Sequence, residues 1–403
     1  MSNTPRLSRR AEIMPASPIR RLAPFAVEAR RRGLTVHGLN IGQPDIPTPQ
    51  VILERFGRYA QPYVPYGPSQ GLPELIEALR GYYAKVGATL ATEEIFVTTA
   101  GSEAIQFTLG VLCDPGDQVL VFEPFYTNYN GFAAMTGVEC VPVTTRGDDG
   151  YRLPERAAIE ARIGPRTRAI LICSPNNPTG TVYTDAEIDR LAAICRDRGL
   201  YLVADEVYRE FTYDGRTSRS VLTLAGMDER AIVVDSVSKR YSLCGARIGN
   251  IVSRNRAFMD AILRFGQARL CPPTVEQFAC AALGEVPASY TAGVVAEYQK
   301  RRDLVFDALS RLPGVRVRRP EGAFYVCTGL PVDDADAFAT FLLREFSLEG
   351  ETVMVAPLDG FYATPGLGRD EVRLAYVLEC PKLERAMRIL AAALAAYPAR
   401  AAV

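Results

Sequence analysis

A lysine placed directly after a buried strand carries much of the chemical information in this chain. The segment VVDSVSKRYSLCGARIGN (233–250) runs from an apolar strand through Ser236, Ser238 and Lys239 to Gly245, Arg247 and a second apolar run. An amine taken partly out of water loses basicity and becomes a nucleophile, which is what Schiff-base chemistry requires. The hydroxyls of Ser236 and Ser238 and the guanidinium of Arg247 can together hold a phosphate. Taken alone, Lys239 reads as an ordinary surface lysine.

Three further segments have the same character. In YLVADEVYREF (201–211), Asp205 closes an apolar strand, where a carboxylate is costly unless it meets a cation such as a protonated ring nitrogen. Tyr208 adds a phenol three residues on; the plain alternative for Asp205 is a turn cap. In SPNNPTGTVYT (174–184), Pro175 and Pro178 stiffen a loop, Gly180 permits a positive φ, and Asn177 offers an amide at the strand ends where open α/β sheets bind ligands. In TTAGSEAIQF (98–107), a strand ends, Gly101 is expected to turn, and a helix opens at Ser102 and Glu103. Free N–H groups at such a start attract anions, and the Glu103 side chain can point away. EPFYTNY (123–129) then supplies aromatics, Tyr126 among them, of which one can stack on a planar ring.

These residues need a scaffold. Short runs rich in Val and Ile (94–99, 118–123, 168–173, 201–205, 231–236 and 248–253) read as strands apolar on both faces, the signature of a parallel sheet covered by helices. One intervening helix is well marked: Thr184 caps it with Glu187 as reciprocal partner, and Ile188, Leu191, Ala192 and Cys195 follow on one face. From Pro287 the pattern changes to a long helix (about 288–312), then RVRR, AFYVC, a helix DADAFATFLLREF, VMVAP, EVRLAYV and a last helix from about Pro381, ending in an alanine-rich tract. The first forty or so residues carry little periodicity beyond a short basic helix around 24–33 and are expected to form an arm.

Composition narrows the function classes. The 403 residues carry 46 Lys plus Arg and 46 Asp plus Glu, so no basic excess favours nucleic acid. A single histidine, His37, excludes any site that needs two, and no metal centre is expected; His37 itself reads as structural. Nine scattered cysteines without a CxxC pair fit reduced thiols in a reducing compartment. No run of about 18 apolar residues and no signal-like start is visible, so a cytoplasmic location without membrane association is expected.

In their order and spacing these segments resemble the pyridoxal-phosphate-dependent aminotransferases of the aspartate aminotransferase superfamily, classes I and II. LNIGQPDIPTP (39–49), YGPSQGLPEL (66–75), EGAFYV (321–326) and EVRLAYV (371–377) match as well. The resemblance implies an α/β fold, with a mostly parallel seven-stranded sheet between helices in a large domain (45–287), a smaller α+β domain (288–403), and an N-terminal arm (1–44) that contributes to the latter. It implies pyridoxal 5′-phosphate as cofactor. Lys239 would carry it as a Schiff base and move the proton, Asp205 would pair with the ring nitrogen, and Asn177 and Tyr208 would bind the ring oxygen. Tyr126 would stack on the ring. Gly101, Ser102, Glu103, Ser236, Ser238 and Arg247 would hold the phosphate, with Tyr66 reaching it across a homodimer interface so that the two chains share their sites. Arg373, with Asn177 and Gly42, would bind the substrate α-carboxylate. The implied reaction moves an amino group from an L-amino acid, by default aspartate, to a 2-oxo acid, by default 2-oxoglutarate. A C–S lyase or β-decarboxylase with the same cofactor shares these motifs, and a ligand-sensing domain is a remote alternative. No motif assigns the residue for the substrate's distal group; Arg20, Arg21 and Arg269 are the candidates.

Overall fold

The apolar runs become strands whose alternate residues enter two separate cores. In the computed structural model, which describes residues 5–397, the strands are β1 (Thr35–Gly38), β2 (Ile95–Thr99), β3 (Gln118–Glu123), β4 (Glu139–Thr144), β5 (Thr167–Cys173), β6 (Tyr201–Asp205), β7 (Ala231–Ser236), β8 (Ile248–Val252), β9 (Arg316–Val317), β10 (Tyr325–Gly329), β11 (Glu351–Met354), β12 (Ala356–Pro357) and β13 (Glu371–Ala375). The outermost residues of the expected arm and small domain, 1–4 and 398–403, lie outside the described range, as does the end of the alanine-rich tract.

Seven strands form one sheet in the order β2-β8-β7-β6-β5-β3-β4. All its pairings are parallel except those of β8, which runs against both β2 and β7. Leu120, Ile170, Leu202 and Val233 enter the core on one face, and Val121, Leu171, Val203 and Val234 that on the other. This is the period of two expected of a strand, with both faces covered by helices. Each such side chain contributes roughly 1.5–3 kcal/mol through removal from water. The residue pattern shows six of the seven strands. It misses β4, an edge strand containing Pro142, and only an edge tolerates a residue without an N–H in the ladder.

The capping box is present: Thr184 Oγ1 accepts from Glu187 N at 3.2 Å, and Thr184 N donates to Glu187 Oε2 at 2.7 Å. The helix it opens, Asp185–Arg198, buries Ile188, Leu191, Ala192 and Cys195. The C-terminal part forms the antiparallel sheet β12-β13-β10-β9, covered by Ala335–Arg344 and Cys380–Ala396. β1, from the arm, pairs in parallel with β11, which ties the N-terminal segment to this part. His37 sits in that pairing with Nε2 2.9 Å from Glu351 Oε2. All nine cysteines are free, and no single helix among the described residues is long and apolar enough to cross a membrane.

Candidate active site

Parallel strands bring their C-terminal ends to one edge of the sheet. Cys173 pairs with Asp205, Ser236 with Gly249, and Thr99 with Ile248. Because β8 is antiparallel, it starts at that edge, and Arg247 immediately before it lands beside Ser236 and the Thr99 end of β2. A helix, Ala100–Leu112, opens there, and Thr99 gives it no side-chain cap. Its first N–H groups therefore remain available to an anion.

The local geometry differs from expectation at two residues. The left-handed residue of this turn is Ala100, with φ +64°, and not Gly101. The glycine the turn requires is Gly249 on β8, where a Cβ would lie 2.5 Å from the Ala100 carbonyl carbon and 2.7 Å from Gly101 N. Glu103 folds back under the turn: Oε2 accepts from Thr99 N at 2.7 Å and lies 3.3 Å from Arg269 Nη1.

Above this edge lies a cavity of about 740 Å³. Lys239 rises from a four-residue helix, Val237–Arg240, rather than a bare turn; Ser236 Oγ starts it by accepting from Ser238 N. Its Nζ donates to Gly42 O at 2.7 Å and lies 3.8 Å from Cys244 Sγ. Burial pushes the lysine pKa down, with Arg373 and Arg247 adding to the effect. Lowered basicity of this kind favours use of the amine as a nucleophile. Ser236 Oγ and Ser238 Oγ lie 2.7 Å apart, and Arg247, held at φ +57°, lines the same wall.

Asp205 forms the floor. Burial pushes its carboxyl up to about 6, against the bonds from Tyr129 OH (2.8 Å) and Val207 N (3.4 Å), while Asp235 and Glu206 add to the rise. A buried carboxylate in this condition favours a cationic partner. Tyr208 OH lies 2.8 Å from Tyr325 OH. At the far end Arg373, 1% exposed, donates through Nη1 to Asn177 Oδ1 at 2.9 Å and through Nη2 to Asn40 O. Its guanidinium lies over the rings of Tyr325 and Phe361, at 4.4 Å and 5.0 Å, and Nε is buried without a partner. The β10–β13 register produces this: Tyr325 faces Ala375 and Cys327 faces Arg373, so both large side chains leave one face.

A lysine of lowered basicity, a buried carboxylate, an uncapped helix start and a buried arginine thus line one cavity. Comparison with known proteins agrees: the family model "Aminotransferase class I and II" matches residues 35–389. This chain is a class I and II aminotransferase. It is 33% identical over 325 residues to the aspartate/prephenate aminotransferase of Thermus thermophilus, 79% of this chain and 83% of that one. The solved aspartate aminotransferase from Thermus thermophilus with maleate superposes with TM-score 0.87 at 30% identity, covering 97% of this chain and 100% of that one. An alanine aminotransferase from Pyrococcus furiosus superposes with TM-score 0.88 at 29% identity, covering 97% and 100%.

In this aminotransferase Gly42, Gly101, Ser102, Tyr126, Asn177, Asp205, Tyr208, Ser236, Ser238, Lys239, Arg247 and Arg373 all line the cavity. Two expected residues do not. Glu103 is turned away as described, and Tyr66 stands 81% exposed on the surface of the chain. Of the three arginines considered for a distal group, Arg21 pairs with Asp336 and Asp359, and Arg269 binds Glu103 and the carbonyls of Ser69 and Val97. Only Arg20 lines the cavity, and among the described residues its guanidinium has no hydrogen bond or ion pair. The residue pattern alone does not point to Tyr129, Tyr325 or Cys244, which contact Asp205, Tyr208 and Lys239. Tyr129 lies in the aromatic run already noted, three residues past Tyr126, so one helical turn would have placed both on one side. Tyr325 becomes visible only through strand register.

Proposed function

We propose that the enzyme works with pyridoxal 5′-phosphate and transfers amino groups from acidic L-amino acids, aspartate first, to 2-oxoglutarate. The observation that carries this reading is the convergence of Lys239, Asp205 and Arg373 on one cavity. The residues present suit the cofactor. The uncapped helix start at Gly101 and Ser102, with Ser236, Ser238 and Arg247, matches a phosphate dianion. Asp205 matches a protonated ring nitrogen, Asn177 and Tyr208 the ring oxygen, and Tyr126 a ring face. When bound, the cofactor supplies the electron sink that transamination needs.

The chain's own groups do the rest. Lys239, on a flexible stem with lowered basicity, would act as base toward the substrate Cα proton and then as acid at the cofactor's C4′. Arg373, fixed by Asn177 and Asn40, grips the α-carboxylate through a rigid fork. Among the described residues that line the cavity, Arg20 is the cation left without a partner and available to a second carboxylate. The maleate named with the Thermus thermophilus structure is a C4 dicarboxylate, which supports an acidic donor. The exposed Tyr63, Val64 and Tyr66 support a homodimer in which Tyr66 completes the partner's site. Nine free thiols support a cytoplasmic setting.

The test loads the purified protein with pyridoxal 5′-phosphate, reduces it with borohydride and maps the label by mass spectrometry; the label belongs on Lys239. A donor panel follows. Arg20→Ala is expected to lower kcat/KM for aspartate and glutamate by about 10-fold relative to alanine, the loss of one charged hydrogen bond. Equal losses for all donors would refute the acidic-donor reading.

A further inference from the structure

The residues that line the cavity have sequence neighbours pointing the opposite way. Glu206 follows Asp205, Arg209 and Glu210 follow Tyr208, Asp235 precedes Ser236, and Arg240 follows Lys239. All five meet in one buried network behind the cavity wall. Arg240 Nη2 donates to Asp235 Oδ2 and Nε to Glu210 Oε2, both at 2.7 Å. Arg209 Nε donates to Glu206 Oε2 at 2.7 Å. Tyr82 joins the halves, accepting from Arg209 and donating to Glu210, with its ring 4.0 Å from the Arg240 guanidinium. Tyr83 reaches Asp235 at 3.4 Å, and Tyr241 stands 5.7 Å from Arg240. Side-chain exposure is 0–5% for four of the five charged groups and 17% for Glu210.

A network of this size is not needed to close a core; apolar residues of similar volume serve as well or better. Two guanidiniums face three carboxylates, an excess of one negative charge in a place where solvent does not screen it. Burial alone would push the Arg240 pKa down, yet Asp235 and Glu210 hold it well above the usual value. The same arginines hold Glu210 below its usual value against burial. The link to the site runs through neighbours: Asp235 and Glu206 both act on Asp205, which is also faced by Tyr129, the Val207 amide, Cys173 and Tyr126.

We propose that Arg240 is a positioning residue for the reaction: it orients the short helix that carries Lys239 and balances the carboxylates behind Asp205. This rests on the pyridoxal-phosphate reading above. The consequence is an electrostatic one with a sign. Removing the Arg240 charge takes the ion-pair partner from Asp235 and leaves Glu210 only Arg209 and the Tyr82 hydroxyl, and added negative charge raises the pH at which groups in the cavity lose a proton. Removing the Asp235 charge does the reverse.

The experiment titrates the absorbance of the cofactor-loaded enzyme against pH, and measures kcat and KM for one donor, in Arg240→Met, Arg240→Lys and Asp235→Asn. The absorbance midpoint is expected to rise by about 0.5–1 pH unit in Arg240→Met, to return to within about 0.3 unit of the parent in Arg240→Lys, and to fall in Asp235→Asn. kcat should drop about 10-fold or more in Arg240→Met with KM nearly unchanged, because no substrate contact is lost. Opposite shifts cannot come from general loss of folding. Midpoints that stay at the parent value in both Arg240→Met and Asp235→Asn, or that move the same way, would overturn the proposal. If Arg240→Met does not fold, the downward shift in Asp235→Asn alone decides. A parent protein that takes up no cofactor would instead refute the cofactor reading itself.

Discussion

Replacing Asp205 by asparagine should stabilise the cofactor-free protein, and only above a defined pH. Asp205 is 8% exposed, and burial outweighs the bonds from Tyr129 and Val207, so its carboxyl titrates at about 6 instead of 3.8. A raised folded-state value means that the folded chain holds this proton more tightly than the unfolded chain. The stability this contributes is complete below the unfolded value and is lost as pH rises through about 6. Two units correspond to about 3 kcal/mol. Asparagine has nearly the same shape and keeps an acceptor for Tyr129, but carries no charge to bury. The stability difference between variant and parent should therefore grow by up to about 3 kcal/mol between pH 4 and pH 8. For 403 residues the unfolding entropy is about 0.85 kcal/mol/K, so the Tm difference should grow by about 3–4 °C. The assay is a set of thermal melts of both stripped proteins across that range. A Tm difference that is flat with pH, or one that shrinks as pH rises, would refute the burial argument. With pyridoxal 5′-phosphate bound as proposed, the order should reverse, since the carboxylate would then have a cation to pair with and asparagine would not.

Two further predictions use the same cavity. Arg373→Lys should lower kcat/KM for acidic, aliphatic and aromatic donors alike, by about 10-fold or more, because every donor has an α-carboxylate and lysine cannot form two parallel bonds; steady-state kinetics with the three donor classes would expose a selective loss, which would contradict the assignment. Gly42→Ala should impair turnover strongly while leaving the fold intact, because the added Cβ would fall 1.8 Å from Tyr325 Oη and displace the phenol that meets Tyr208; unchanged kcat/KM with an unchanged melting curve would contradict it.

Much of the site was legible in the chain because its residues sit at strand ends, and strand ends are marked locally. Lys239, Ser236 and Asp205 each follow a short apolar run, and such runs are read without knowing their neighbours. The capped helix at Thr184 was legible for the same reason, since its two bonds span three residues. What the sequence could not determine is what depends on pairing between distant segments. That β8 runs antiparallel, and so delivers Arg247 beside Ser236, follows from the sheet order. The demand for glycine at Gly249 arises only because the helix start of another strand unit packs onto it. The partners of Asp205 and Tyr208, Tyr129 and Tyr325, come from 76 and 117 residues away. Of three plausible distal arginines, packing occupied Arg21 and Arg269 and left Arg20 at the cavity, because ion pairs are settled by proximity in space and not by residue type.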